Sequence, residues 1–190
     1  MTAAPSAAPG PLQPRVLWLL PAVFLVHDGE EMLTMPGWVQ AHGAELAAIA
    51  RKGRLLSALV ATVPKTPAQV TIAVALLLAV FVLVTTAAVR APRAGLGLDA
   101  YVALLGGFFL HAFGHLGQAL LLRTYVPGLF GALLAVVPAS LYLYSRLFAA
   151  GLLRPPEAAL KAVVGLAALA VGALGLIRLA GLLAALAGLQ

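Results

Sequence analysis

Three ionisable side chains, His27, Glu30 and Glu31, stand at i, i+3 and i+4 inside an otherwise apolar run from Val16 to Met35. On a helix that spacing gives them one shared face. Asp28 lies among them, so three of the chain's six acidic residues fall within five positions. At membrane depth each such group costs ~2.5–3.5 kcal/mol on insertion scales and marks function by default. A second group, His111 and His115, lies four apart in another apolar run. Imidazoles and carboxylates at these helical spacings are what bundles use to hold zinc, iron or manganese. A metal would also lower the cost of burying the acids, because it stabilises their charged forms. The pattern is not the His-Glu-x-x-His of the zinc proteases.

The expected ligands are His27, Glu31, His111 and His115. Glu30 and Glu31 are both candidates for the catalytic carboxylate, since the helix rotation that chooses between them is not readable from sequence. Asp28 points away from the shared face and is assigned a supporting role or a place among headgroups. Gln118, one turn beyond His115, is a supporting hydrogen-bonding residue or a helix-packing one.

The elements that must position these groups are membrane helices. Of 190 residues, 63% are hydrophobic and only 9% charged, against about 25% charged in a soluble domain. Apolar runs of ~20 residues, enough to cross a bilayer, recur along the chain, and strand-like alternation is missing. The expectation is an all-α polytopic membrane helix bundle with about five transmembrane helices and one interfacial amphipathic helix. The spans are read as 16–35, 68–89, 98–122, 129–147 and 157–186, in a single transmembrane domain covering 15–190. Residues 1–14, rich in Ala and Pro, read as a disordered leader. Pro36-Gly37 is expected to end the first helix. Residues 38–63, with Arg51-Lys52 in mid-segment, read as the interfacial helix, and Thr66 or Thr71 as the cap of the next span.

The net charge of +6 sits mostly at segment ends, where membrane helices place Lys and Arg. It argues for a multi-pass protein of the cell membrane and against nucleic-acid binding. Basic residues divide almost evenly between the two sides, so they assign no orientation. The absence of cysteine excludes disulfides and thiolate chemistry. Trp18, Trp38, Tyr101, Tyr142 and Tyr144 read as belt or packing aromatics.

Spans one and three run in the same direction whichever way the chain inserts. At ~1.5 Å per residue, His27 lies roughly 17 Å into the first and His111 roughly 20 Å into the third. Glu31 and His115 follow one turn further on. Gly106, Gly107, Gly114 and Gly117 would let a neighbouring helix approach closely, and the small-residue content would also allow a homodimer.

Together these motifs resemble the HXXEE family of small bacterial integral membrane proteins. His27-Asp28-Gly29-Glu30-Glu31 matches the motif that names the family, His111 or His115 its further histidine, and Tyr125-Val126-Pro127-Gly128 its Tyr-x-Pro-Gly element. The resemblance implies a membrane protein and leaves its chemistry open. Physically, Pro127-Gly128 makes a turn after span three, and Tyr125 either aims its hydroxyl at the site as donor or acid or is an interfacial tyrosine.

The residues point first to a membrane-embedded enzyme that depends on a divalent metal, zinc before iron or manganese. It would act on a lipid or isoprenoid-like substrate entering from the bilayer, with one glutamate serving as general base. A metal-free acid–base isomerase or cyclase of terpene- or sterol-like molecules is the alternative. A proton-coupled transporter is the second alternative, although no inverted repeat is visible.

Overall fold

A computed structural model of the chain describes residues 12–61, 63, 66–93 and 95–189. Residues 1–11 of the expected leader lie outside these, as does Thr62 of the expected interfacial helix. The fold is all-α, a helical bundle that is 85% helical, with no strand among the described residues. A 3-10 turn, Pro14–Trp18, leads into α1 (Leu19–Ala41), and two short helices follow, α2 (Gly43–Ala50) and α3 (Arg54–Ala61). The long helices α4 (Pro67–Arg90), α5 (Leu96–Leu122), α6 (Leu129–Ala149) and α7 (Pro155–Leu186) complete the chain.

These last four are long and apolar enough to cross a membrane, and the chain is a membrane protein. The first span of the sequence reading falls on α1, which at 23 residues differs from these four in its charged groups and not in its length. In α1 the carboxylates of Asp28, Glu30 and Glu31 interrupt the apolar run. Its buried face, which includes Leu20, Val23, Phe24 and His27, is covered by the other helices instead. Phe24 meets Phe81 of α4 at 4.3 Å between ring centroids and Phe108 of α5 at 5.9 Å.

Two expected boundaries are corrected. First, α1 does not end at Pro36-Gly37 but continues through them to Ala41. A proline inside a helix removes one backbone bond, and here the ladder resumes beyond it, with His42 N–H on the Trp38 carbonyl at 2.9 Å. The Trp38 indole N–H also donates to the Tyr125 carbonyl at 2.7 Å, tying the extension to the turn after α5. Second, the interfacial helix expected over 38–63 is two helices broken at Arg51–Gly53, where a glycine follows two adjacent cations. Of the two threonines proposed as cap for α4, it is Thr66 that accepts, from Gln69 N–H at 3.2 Å, just before Pro67 at the first helical position.

Within α6, residues Ala132–Val136 form a π-helical turn. Pro138 follows, without an N–H for the carbonyl one α-turn back, so the wider turn absorbs the missing bond. α5 and α7 meet through small residues: a Cβ on Gly106 would lie 2.5 Å from Ala162 Cα, and one on Gly107 or Gly165 would overlap the facing backbone. Lys161 and Asp99 pair across the same contact at 2.6 Å. Gly114 and Gly117, expected to serve the same purpose, are exposed with open space around them, because they lie beyond the point where α7 covers α5.

α1 and α5 run parallel in one register. Tyr101 donates to the Leu17 carbonyl at 2.9 Å, and the pairs Phe24–Phe108, His27–His111 and Glu31–His115 repeat the same 84-residue offset. This register brings the polar levels of the two helices together.

Candidate metal centre

The cluster begins with His27, which is 1% exposed. Its Nδ1 lies 3.0 Å from the Gly128 carbonyl oxygen. A carbonyl can only accept, so Nδ1 carries the proton and the neutral ring presents a bare lone pair at Nε2. That Nε2 is buried and has no hydrogen-bond partner among the described residues. One turn on, Glu31 Oε1 lies 3.9 Å from it and 3.5 Å from His115 Nε2. His115 Nε2 is in turn 2.9 Å from His111 Nε2. Two neutral imidazoles satisfy that contact only if one supplies an Nε2 proton; a cation would satisfy both as bare lone pairs.

One donor atom from each of His27, Glu31, His111 and His115 lies within 4.8 Å of all the others. With ligand bonds of ~2.0–2.2 Å, tetrahedral zinc sets neighbouring donors about 3.4 Å apart, so the observed separations fit a metal with small side-chain movements. The carbonyl behind His27 is the outer support that metal-binding histidines use to fix ring orientation.

Glu30 faces elsewhere. Its carboxylate accepts from the Tyr125 hydroxyl at 2.5 Å, from Gly131 N–H at 2.5 Å and from Phe130 N–H at 3.3 Å. The two N–H groups belong to the first turn of α6, where no helical carbonyl is available to them. Glu30 therefore caps α6 from a neighbouring helix and complements its dipole. The Tyr125 hydroxyl also approaches Thr34 Oγ1 at 3.3 Å, and its ring stacks on Phe130. Burial first, and then the hydrogen bond to Glu30, push the Tyr125 phenol above its usual pKa, so it remains a proton donor.

Gly128 closes the arrangement. Its φ of +82° is left-handed, and a Cβ there would lie 2.7 Å from His27 Cε1, 2.8 Å from Glu31 Oε1 and 2.9 Å from His115 Cε1. Only glycine accepts both demands.

The four expected ligands are thus brought together. Asp28 is buried and in the electrostatic field of Glu31, yet it stands outside the four-residue group and its Oδ2 has no hydrogen-bond partner among the described residues. It does not face headgroups. Gln118 is exposed; three residues beyond His115 it is turned about 60° round the helix, away from the ligand side. His42 stacks on Trp38 at 4.4 Å and bonds its carbonyl. Trp38 and Gly131 were not expected at the site. Trp38 reads as an ordinary belt aromatic, and Gly131 contributes a backbone N–H and the room its missing side chain leaves against His27.

A family model described as "Protein of unknown function with HXXEE motif" matches residues 18–143. That range includes the whole His/Glu cluster and the Tyr125–Gly128 turn. No curated protein and no solved structure matches the chain.

Proposed function

The chain belongs to the HXXEE family, whose description assigns no activity, and from the site we propose that it is a metal-dependent enzyme of the cell membrane acting on a lipophilic substrate. The observation that carries this reading is the buried, unpartnered Nε2 of His27, grouped with donors from Glu31, His111 and His115. His27, His111, His115 and Glu31 would hold the ion, with zinc the first choice for three imidazoles and one carboxylate and iron or manganese next. A divalent metal there would supply Lewis acidity toward a carbonyl or phosphoryl oxygen. Glu31 reaches the cluster through Oε1, and on this reading its second oxygen would take the proton.

Substrate access from the bilayer is supported by a groove of about 590 Å³ between α1 and α6, with Val26, Phe130 and Leu134 on its walls and Glu30, Thr34 and Tyr125 at its polar end. The exposed Val26, Phe130 and Leu134 suit an alkyl or isoprenoid chain. Membrane lipids are the partners that suit such a surface.

The test is to assay metal-loaded and chelated protein in mixed micelles against long-chain esters and isoprenyl phosphates. Turnover that requires the metal and is lost in His111→Ala supports the reading; equal turnover in chelated protein overturns it. One observation favours the metal-free acid–base reading: the Tyr125–Glu30 pair borders the groove, whereas the histidines do not. On that reading Tyr125→Phe abolishes turnover and chelation leaves it intact.

A further inference from the structure

The two adjacent glutamates of the motif have opposite surroundings. Glu31 meets imidazoles, at 3.5 and 3.9 Å. Glu30, about 100° round the helix, meets three donors, one from the segment that joins α5 to α6 and two from the first turn of α6. A carboxylate has roughly four acceptor positions, so three donors leave Glu30 little capacity for a metal.

From these contacts we infer that Glu30 is the positioning residue of the centre: it clasps the Tyr125–Gly131 turn onto α1, and the turn sets the tautomer of His27. Each link is short. Glu30 Oε2 holds Gly131 N–H, and Gly131 seats directly on α1, since a Cβ there would lie 2.6 Å from His27 Cα. Three residues earlier in the same turn, the Gly128 carbonyl accepts the His27 Nδ1 proton. The Trp38 indole holds the far end through the Tyr125 carbonyl. Removing the Glu30 carboxylate leaves two helix N–H groups without their acceptor, and between Trp38 and His27 it reduces the polar ties of the turn to α1 to the longer Tyr125–Thr34 contact at 3.3 Å. Without its acceptor at Nδ1, the His27 proton can move to Nε2, which removes the lone pair a metal needs.

The consequence for metal affinity rests on the metal-centre reading; the consequence for the tautomer does not. Both are measured on the full chain in detergent micelles, with histidine labelled by nitrogen-15. Ring-nitrogen NMR is recorded without metal and during zinc titration for wild type, Glu30→Ala, Glu30→Gln and Tyr125→Phe, with His27→Gln identifying the signal. Wild type is expected to show His27 as the Nδ1–H tautomer. Glu30→Ala is expected to lose that state and to bind zinc 10- to 100-fold more weakly, the usual effect of removing an outer support. Glu30→Gln keeps an oxygen for Gly131 N–H and should recover part of both.

Should Glu30→Ala fail to fold, Tyr125→Phe carries the test, with an expected loss of about 5-fold in zinc affinity for one hydrogen bond. A folded Glu30→Ala with His27 still Nδ1-protonated and unchanged zinc affinity overturns the inference, as does a wild-type His27 protonated at Nε2. A wild type that takes up no zinc, but whose His27 changes tautomer in Glu30→Ala, overturns the metal reading and supports this one.

Discussion

Replacing Gly128 by alanine separates the two demands made on that residue. At φ +82° an L-residue pays about 1–2 kcal/mol for the left-handed conformation. The added methyl would also stand 2.7–2.9 Å from His27, Glu31 and His115, inside the ~3.5–4.0 Å optimum for carbon contacts, and overpacking of this kind costs about 1–3 kcal/mol. Together the expected loss is about 2–5 kcal/mol. It falls on the cluster itself, because the neighbours that must yield are three of its four members. Gly151 supplies the control: its φ is +68° and nothing lies within 4 Å of its Cβ position, so Gly151→Ala carries the strain alone. Unfolding followed by circular dichroism in detergent, beside zinc titration, compares the two. Gly128→Ala should be the less stable and should bind zinc at least 10-fold more weakly than Gly151→Ala, as expected when a ligand's support is displaced. Equal stability and equal zinc affinity in the two variants would refute the close approach of the turn to the cluster.

Folding raises the Tyr125 pKa above 10.0, so the stability its proton confers is complete below pH 10 and is lost as pH rises through the folded-state value. Wild type should therefore exceed Tyr125→Phe by about 1 kcal/mol up to roughly pH 10, and the gap should shrink above it in melts across that range. In the α5–α7 contact, Gly165→Ala should destabilise the fold by about 1–3 kcal/mol, since its methyl would overlap the Ala103 carbonyl. Gly172→Ala, in open space on the same helix, should be neutral or slightly stabilising in the same unfolding assay.

The cluster was legible because its information is carried by residue type and helical period. His27 and Glu31 are four apart, as are His111 and His115, and two helices running the same way must hold equal depths at equal distances from their starts. The constant offset from Tyr101–Leu17 to His115–Glu31 follows from that parallel course. The division of labour between Glu30 and Glu31 was not legible, because the partners of Glu30 are mostly backbone N–H groups, which leave no trace in residue identity. The extension of α1 through Pro36 was hidden for a similar reason: what holds it is an indole bonded to a carbonyl 87 residues away. Gly128 was visible as a turn residue, but its contact with the cluster depends on how α6 seats against α1. Gln118 was misplaced because three residues stop about 60° short of a full helical turn.

Elemental analysis of detergent-purified protein, expressed with zinc, iron and manganese in excess, tests the central claim that His27, Glu31, His111 and His115 hold one metal. It is run on wild type, His27→Ala, His111→Ala and Gln118→Ala, each of confirmed helical content. About one equivalent in wild type, kept in Gln118→Ala and lost in both histidine variants, is the predicted result. Metal-free wild type, or metal retained by both histidine variants, would contradict it.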